Sequence, residues 1–381
     1  MSTTEAVTSR RTSRAATEGP ADLVGLDRPG LEAFFADIGE KPFRAKQVMQ
    51  WLHQRGVSDF ETMTDLPKAL RTRLAEEVGL TEPRVLSEQR SFDGTIKWLL
   101  GMGDGNAVEA VFIPEDDHRS VSPDQKDLVG APKGGHRGTL CISSQAGCPL
   151  DCKFCATGYG GFQRNLAPAE ILAQVRHARA RVGDRLTNVV FMGMGEPLLN
   201  YDAVLHTINV IMDDLAYGLS RRRITVSTVG VVPKIERLGQ DTPVNLAISL
   251  HAVSDPVRDR IVPINQTYPL ERLLQACRDY PLPPGRRITF EYVMLDGVND
   301  SPQEAHQLAH LLRNIPAKVN LIPFNPFPQA EFERSTPSAI DRFRAILLDH
   351  GTVAVTRTPR GEDIDAACGQ LQGQVDREVR A

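Results

Sequence analysis

Three cysteines in one short segment are the clearest chemical feature of the sequence. Cys148, Cys152 and Cys155 form a CxxxCxxC pattern directly after a predicted strand, so a single loop can bring three thiolates to one metal centre. A structural zinc site needs four protein ligands, and an electron-transfer [4Fe-4S] site uses four thiolates in a different spacing. No second pair follows, because Cys277 and Cys368 are solitary. Three thiolates would leave one iron of a [4Fe-4S] cluster open to another ligand, which indicates catalysis.

A second group of candidate residues follows the predicted strands further along the chain. Gly195 and Glu196 lie in the turn GMGEP, whose glycines allow a backbone to approach a ligand closely. The Glu196 carboxylate can accept a hydrogen bond from a ligand ammonium group. Residues in short, largely polar segments after later strands are further candidates to bind a ribose, an adenine or a carboxylate. They are Ser227, Ser249, Leu250, His251 and Asn325.

The elements that must position these residues alternate between short β-branched runs and helical segments. This alternation predicts parallel strands joined by helical crossovers. Six such strands fit either an incomplete barrel or an open doubly wound sheet, and periodicity does not choose between them. In both folds, function is expected at the carboxyl ends of the strands. The strand candidates are GTLCIS, NVVFM, RITVST, NLAISL, RITFEYVM and KVNLI.

Upstream of this region the pattern changes twice. Short helical segments separated by turns predict a small helical module. Alternating segments around the turn Asp93-Gly94 then predict a β-rich connector, and a polar loop follows. The predicted organisation is a disordered tail over residues 1–22, a helical domain over 23–82, a β-rich connector and loop over 83–133, an α/β core over 134–361 and a C-terminal segment over 362–381 that carries Cys368.

Composition and charge exclude some classes of protein. The chain has 381 residues, with 44 Lys and Arg against 48 Asp and Glu and a formal net charge of −4, so no global positive field attracts a polyanion. No apolar run approaches the roughly 20 residues of a membrane helix, and the N-terminal segment lacks the apolar centre of a secretory signal. These features predict a cytoplasmic protein without a membrane span.

Contact with nucleic acid would therefore rely on local basic patches, and two are candidates. The first lies in the helical domain, where Lys41, Arg44, Lys46 and Arg55 occur without an intervening acidic residue. This pattern fits either a solvated helix face or a phosphate-contacting surface. The second is the run Arg221–Arg223, directly before a predicted strand.

The cysteine loop, placed after the first strand of the α/β region, resembles that of the radical S-adenosylmethionine superfamily. In that superfamily the open iron binds the amino and carboxylate groups of S-adenosylmethionine. Over most of its length, from about Leu31 to about Leu371, the chain is similar to the RlmN/Cfr family of radical methyltransferases, which methylate adenosine in ribosomal RNA. The matching segments are QAGCPLDCKFCATG, MGMGEPLLN, TVSTVGVVP, AISLHA, LIPFNP and GEDIDAACGQL.

The resemblance implies a fold and a set of cofactors. The fold is α/β, a partial (βα)6 TIM-type radical SAM barrel with a small N-terminal helical domain and a β-rich connector. The cofactors are a [4Fe-4S] cluster on Cys148, Cys152 and Cys155 and two molecules of S-adenosylmethionine per turnover. The strand-end residues given above, from Gly195 to Asn325, would then contact S-adenosylmethionine.

The resemblance also implies roles for three residues that composition alone does not single out. One S-adenosylmethionine methylates Cys368, and a second is cleaved to a 5′-deoxyadenosyl radical that abstracts hydrogen from the methylthioether. The resulting methylene radical adds to C2 of adenine. Glu109, in the strand AVEAVFIP, matches the general base of the family, and Cys141 then attacks the sulfur of Cys368 and leaves a disulfide. Taken alone, the two cysteines would be small buried side chains and Glu109 an exposed strand carboxylate.

The implied partners are RNA and an electron donor. The overall match favours C2 methylation of an adenosine in protein-poor precursor 23S rRNA and, in some family members, of an adenosine beside the tRNA anticodon. The enzyme would be a monomer, reduced by a flavodoxin- or ferredoxin-type donor. Three alternatives stay open: a Cfr-like methyltransferase acting at adenine C8, a non-catalytic RNA-binding or sensor protein that carries a cluster, and a structural zinc module.

Overall fold

Within the described residues, ten strands form one continuous sheet, and two further strands form a small antiparallel pair. The structure, a computed structural model, describes residues 21–115 and 137–373. Most of the predicted tail, most of the predicted polar loop and residues 374–381 lie outside the described residues. The strands are β1 (Arg84–Arg90), β2 (Ile96–Gly101), β3 (Ala107–Pro114), β4 (Gly138–Cys141), β5 (Gln145–Gly147), β6 (Phe162–Asn165), β7 (Leu186–Phe191), β8 (Ile224–Thr228), β9 (Asn245–Ser249), β10 (Ile288–Met294), β11 (Ala317–Pro323) and β12 (Val353–Thr356).

The parallel part of the sheet has the order β4-β7-β8-β9-β10-β11-β12. The six predicted strands are all present, and β12 is a seventh that the prediction missed because its run VAVT is only four residues long. The strands follow chain order without the reversal of a doubly wound sheet, and β4 does not pair with β12. The fold is therefore the open, incomplete barrel that the resemblance implied.

The helices of the described residues are α1 (Arg28–Asp37), α2 (Phe43–Met49), α3 (Lys68–Glu77), α4 (Ala156–Tyr159), α5 (Pro168–Val182), α6 (Tyr201–Met212), α7 (Val232–Asp241), α8 (Asp255–Ile261), α9 (Leu270–Asp279), α10 (Pro302–Leu311) and α11 (Pro337–Asp349). Of these, α5 to α11 connect successive parallel strands. Helix α5 begins at a proline, which suits the first helical position, and the Glu170 carboxylate accepts the Ala167 N–H at 2.8 Å. In α9, Cys277 is buried in the hydrophobic core, as predicted. None of these helices, within the described residues, is long and apolar enough to cross a bilayer.

Helices α1 to α3 form the predicted helical module, which packs against the barrel. Helix α2 continues into a π-helical turn over Gln50–Gln54. Gln54 Nε2 donates at 2.7 Å to the carbonyl of Asp214, a residue that follows the end of α6. Asp22 was predicted to lie in the tail but belongs to this module. Its carboxylate accepts from the Val24 and Thr81 N–H groups at 2.9 and 3.0 Å, so the predicted boundary falls too late.

The β-rich connector is an extension of the barrel sheet. Strands β1, β2 and β3 are antiparallel, and β3 pairs antiparallel with β4, with Val111 opposite Cys141. On one face Trp98 is fully buried and meets the His177 ring of α5 edge-on at 5.2 Å. The opposite face is covered by the C-terminal segment, where Glu109 accepts from backbone N–H groups. The connector therefore joins the barrel to the segment that carries Cys368.

Candidate active site

A cavity of about 160 Å³ opens at the carboxyl ends of the parallel strands, the edge where the sequence predicted function. The three cysteines of the CxxxCxxC loop line it together with Cys368. Six of the seven predicted cofactor contacts also line it, namely Gly195, Glu196, Ser227, Ser249, His251 and Asn325. The structure thus brings the predicted metal ligands and nearly all of the predicted cofactor contacts into one site.

The cysteine loop runs from the end of β5 to the start of α4. The Cys155 N–H donates to the Cys152 carbonyl at 3.1 Å, which turns the chain tightly between these ligands. Ala156, the first residue of α4, donates its N–H to the Gly369 carbonyl at 2.7 Å. The loop is therefore tied directly to the residue that follows Cys368.

In the chain without a metal, burial of this loop favours the neutral thiols. Burial raises the pKa of Cys148 to about 12 and that of Cys152 well above its ordinary value. Metal coordination reverses this effect, because a coordinating thiol is deprotonated outright. Among the residues described, no three His, Cys, Asp or Glu side chains surround a position for a single metal ion. A [4Fe-4S] cluster does not require one, since its thiolates bind different irons, so the donor set fits the cluster.

The glycines of the GMGEP turn are required by the protein itself. A Cβ on Gly193 would lie 2.7 Å from the Ile142 carbonyl group, and one on Gly195 would lie 2.5 Å from the Gln145 Cβ. Gly195 also has φ +98°, a conformation that favours glycine. The sequence interpretation attributed these glycines to the approach of a ligand, whereas close packing of the turn against the chain after β4 already demands them.

Glu196 is buried against backbone donors. Its Oε1 accepts from the Leu198 N–H and its Oε2 from the Val229 N–H, both at 3.0 Å. Burial raises the pKa of Glu196 to about 7, and the two hydrogen bonds moderate that rise. A carboxylate has about four lone-pair positions, so Glu196 can still accept a hydrogen bond from an amino group in the cavity.

His251 has a left-handed backbone, with φ 61°. Such a conformation is uncommon outside glycine and clusters at functional sites. The His251 Nδ1 accepts from the Val293 N–H at 3.0 Å, and its ring meets the Phe154 ring of the cysteine loop at 4.4 Å. Burial lowers the pKa of His251 to about 3. The imidazole is therefore neutral, and because Nδ1 accepts, its proton lies on Nε2.

Leu250 is the predicted cofactor contact that does not line the cavity. Its N–H donates to the Glu291 carbonyl at 3.0 Å, and its own carbonyl accepts from Arg258 Nε at 2.9 Å. Arg258 is fully buried and also donates to the carbonyls of Ser249 and Val229. It thereby fixes the chain after β8 to the chain after β9. Sequence reasoning missed Arg258, because an arginine in a short helix gives no local signal of burial.

A second cavity of about 120 Å³ adjoins the first, and Cys368 lies on the wall of both. Cys141, at the end of β4, lines the second cavity. Cys368 is solvent-accessible because it faces these cavities, and its carbonyl accepts from Asn325 Nδ2 at 3.1 Å. The structure therefore places both predicted catalytic cysteines, as free thiols, around one cavity.

Arg357 and Glu291 are site residues that sequence reasoning missed. Burial raises the pKa of Cys141, and desolvation by the surrounding cavity walls raises that of the accessible Cys368; Arg357, which lines both cavities, opposes the shift for each thiol. Arg357 Nη2 lies 3.9 Å from Glu291 Oε1. Glu291 is buried, and its Oε2 has no hydrogen-bond partner among the described residues. The available signal was a charged residue in the otherwise apolar strand ITFEYVM.

Glu109 is buried next to the site but does not line either cavity. Its Oε2 accepts from the N–H groups of Gln372 and Gly373 at 2.6 and 3.1 Å. Its Oε1 lies 3.3 Å from Lys97 Nζ. Leu371, the residue before these two donors, lines the second cavity. In this arrangement the C-terminal segment covers the carboxylate that was predicted to be the base.

The two basic patches lie away from the cavities. Lys41 and Lys46 are exposed at α2, whereas Arg44 is held by the Gln47 side chain at 2.8 Å and by Glu40 at 3.5 Å. The run Arg221–Arg223 precedes β8 and therefore lies at the opposite edge of the sheet from the site. The structure does not bring either patch together with the candidate active site.

Two family models match the chain. Residues 142–309 match the Radical SAM superfamily, and residues 21–80 match the ribosomal RNA large subunit methyltransferase N-terminal domain. The barrel and the three-cysteine cavity at its strand ends agree with the first match. Fold and site thus define a radical SAM enzyme, a class that uses a [4Fe-4S] cluster and S-adenosylmethionine.

Curated relatives and a solved structure narrow the class to a family. The dual-specificity RNA methyltransferase RlmN of Halorhodospira halophila is 54% identical over 365 residues, covering 95% of this chain and 96% of the relative. The protein of the same name from Marinobacter nauticus is 50% identical over 367 residues, covering 94% of each chain. The crystal structure of a radical SAM methyltransferase from Sphaerobacter thermophilus matches with a TM-score of 0.83 and 43% identity, covering 93% of this chain and 100% of that one. The chain belongs to the RlmN family of radical SAM methyltransferases.

Proposed function

We propose that this protein methylates C2 of adenosine in 23S rRNA and in tRNA through a methylated Cys368. The observation that carries the proposal is the position of Cys368 between two cavities. One cavity holds the three cluster cysteines, and the other holds Cys141. The relatives that are named dual-specificity RNA methyltransferases support both classes of RNA substrate.

The first cavity would hold the cofactors. Cys148, Cys152 and Cys155 would bind the cluster, and the strand-end residues that line the same cavity would contact S-adenosylmethionine. When bound, the cluster would supply the electron that cleaves S-adenosylmethionine to the radical that activates the methyl group on Cys368, and would take one electron back from the RNA adduct. The Ala156 to Gly369 hydrogen bond keeps Cys368 beside the cysteine loop during this chemistry.

The second cavity would receive the adenine, where the remaining steps use groups of this chain. Once adenine C2 is bonded to the carbon on the Cys368 sulfur, Glu109 removes the C2 proton as general base. The Cys141 thiolate then attacks the Cys368 sulfur, and the bond from that sulfur to the adenine-bound carbon breaks with its electron pair on the carbon. This carbon takes up a proton and becomes the methyl group of the product, and a disulfide remains for cellular thiols to reduce. Since Leu371 to Gly373 cover Glu109 here, that part of the C-terminal segment has to shift before the base step.

The RNA has to present an unstacked base. A base within a stack cannot reach Cys368 in the second cavity, so the substrate is single-stranded or partly folded RNA, or the enzyme flips its target base. We therefore infer that the rRNA substrate is the protein-poor 23S precursor in the cytoplasm. We further infer a flavodoxin- or ferredoxin-type reductant and a monomeric enzyme.

Anaerobic reconstitution with unmodified 23S rRNA fragments tests the proposal. We expect the parent enzyme to form 2-methyladenosine, detected by mass spectrometry of the digested RNA. Cys368→Ala should form none, because no sulfur is left to carry the methyl group. Cys141→Ala should accumulate a covalent protein–RNA adduct, because no thiol is left to release the product.

Controls separate these outcomes from damage to the protein. Cys277→Ala, a buried cysteine outside both cavities, should keep the parental product yield. Iron content should stay near the parental level in Cys141→Ala, and 5′-deoxyadenosine should form in step with the adduct. Product from Cys368→Ala, or 8-methyladenosine from the parent, would show that the proposed reaction is wrong.

A further inference from the structure

Two side chains of opposite charge lie buried together on neighbouring strands of the connector. Lys97 Nζ is 3.3 Å from Glu109 Oε1, and the two side chains are 10% and 9% exposed. The β2–β3 register pairs Lys97 with Val111 and Leu99 with Glu109. Lys97 and Glu109 therefore occupy diagonal positions on one face of the sheet, within reach of each other. A buried ion pair gives little net stability once desolvation is counted, so another reason for this pair has to be sought.

Lys97 and Glu109 each also contact the C-terminal segment that carries Cys368. Lys97 Nζ also donates a hydrogen bond to the Asp365 carbonyl at 3.2 Å. Glu109 Oε2 accepts from Gln372 and Gly373. The ammonium and carboxylate thus join strands β2 and β3 to the C-terminal segment on both sides of Cys368.

We propose that Lys97 is a positioning residue for the methyl transfer and holds the Glu109 carboxylate on the sheet while the C-terminal segment moves. This inference rests on the proposed function, in which Glu109 is the base. The donors from Gln372 and Gly373 belong to the moving segment, so they leave Glu109 Oε2 when that segment uncovers it. Lys97 belongs to the rigid sheet and can keep its contact with Oε1. Oε2 is then free to take the proton from adenine C2.

The inference predicts a defect at one step only. Methylation of Cys368 and cleavage of S-adenosylmethionine precede the base step and do not involve Glu109. In Lys97→Met, both should therefore continue. The yield of 2-methyladenosine should fall about 10- to 100-fold, less than the full contribution of a general base and comparable to the effect of a misplaced catalytic group. The covalent protein–RNA adduct should accumulate.

The experiment compares the cluster-loaded parent with Lys97→Met, Lys97→Arg and Glu109→Gln, using an in vitro transcribed 23S rRNA fragment. Intact-protein mass spectrometry follows Cys368 methylation and the adduct, and analysis of the digested RNA follows the product. Lys97→Arg keeps a cationic donor and should recover at least part of the product yield. Glu109→Gln should show the same block as Lys97→Met or a deeper one.

The possible failures of the two proposals are distinguishable. Parental product yield in Lys97→Met would overturn the positioning role. So would a parallel loss of iron, Cys368 methylation and product in both Lys97 variants, since that pattern marks a structural role. If the parent forms no 2-methyladenosine, or Glu109→Gln forms it at the parental rate, the proposed function fails, and this inference fails with it.

Discussion

At the scale of single residues, burial decides which side chains of the site carry charge. Burial lowers the pKa of His251 to about 3 and raises that of Glu196 to about 7. Burial also lowers the pKa of Arg258, to about 10, which is still well above neutral pH. The first cavity therefore combines a neutral imidazole, a permanent cation behind its wall and a carboxyl group that titrates near neutral pH.

We expect the affinity for S-adenosylmethionine to fall as the pH drops through about 7. Above this pH Glu196 is ionised and accepts a charge-assisted hydrogen bond from the ligand amino group, whereas below it Glu196 takes up a proton and loses the negative charge that strengthens this contact. One unit below the midpoint about a tenth of the carboxyl is ionised, so binding at pH 6 should be about tenfold weaker than the limit at high pH. Anaerobic calorimetric titration of the cluster-loaded enzyme measures this.

Glu196→Gln is the matched control, because it keeps the shape of the side chain and removes the titration. The variant should bind more weakly than the parent at high pH, and its pH profile should flatten to that of the ligand alone. If the parent and the variant show the same steep profile, another group is responsible.

At the scale of elements, contacts between distant segments decide where the catalytic cysteine lies. Ser91 Oγ donates to the Asp363 carboxylate at 2.6 Å, and the Asp93 carboxylate accepts from the Gly361 N–H at 3.0 Å. The turn between β1 and β2 thus positions the chain just before Cys368. The connector was predicted as a separate β-rich element, but the tertiary structure makes it the support of the C-terminal segment.

The helical module, matched by the rRNA methyltransferase N-terminal domain model, is our candidate for RNA binding. Lys41→Gln combined with Lys46→Gln should weaken RNA binding, because both side chains are exposed. Each lost phosphate contact should reduce the slope of log affinity against log salt by about 0.7 for a single strand. Filter binding across a salt series measures the slope. Arg44 is left unchanged in this test, because it holds Gln47.

The matched control for this prediction removes the same charge elsewhere. Arg313→Gln with Arg342→Gln changes two exposed arginines outside the module and should leave the slope near the parental value. Iron content should be unchanged in both double variants. An unaltered slope in the lysine variant would contradict a role for α2 in RNA binding.

At the scale of the whole molecule, one sheet carries the connector, the barrel and the site. Because β3 pairs with β4, the antiparallel strands cannot separate from the barrel without breaking that ladder. Trp98 anchors the connector: it is fully buried, and its indole N–H donates to Glu88 Oε2 at 2.9 Å. The connector and the barrel should therefore unfold together.

Trp98→Ala should destabilise the protein by about 3–5 kcal/mol, the usual cost of emptying a buried tryptophan site. At about 2 °C per kcal/mol for a chain of this size, the apparent unfolding temperature should fall by about 6–10 °C. Circular dichroism and loss of cluster absorbance on anaerobic heating should give coincident transitions. Phe92→Ala, which removes a fully exposed side chain from the same hairpin, should change little. A separate early transition in Trp98→Ala would contradict joint unfolding.

The sequence by itself determined the parallel core, the helical module and the cysteine loop. These features depend on local spacing: the alternation of strands and helices, the helical periodicity and three thiols within eight residues can all be read without knowing the fold. Resemblance to a family added Glu109, Cys141 and Cys368 as candidates, and the structure places the two cysteines around one cavity.

Only the tertiary structure decided how these groups act together. It packed the glycines of the GMGEP turn closely against the residues that follow β4. It also excluded Leu250 from the first cavity and showed that the C-terminal segment covers Glu109. It also revealed Lys97 and Arg258, which are buried with partners that belong to other elements of the fold. Burial and hydrogen bonding are properties of distances between atoms, and those distances are set only when the whole sheet has formed.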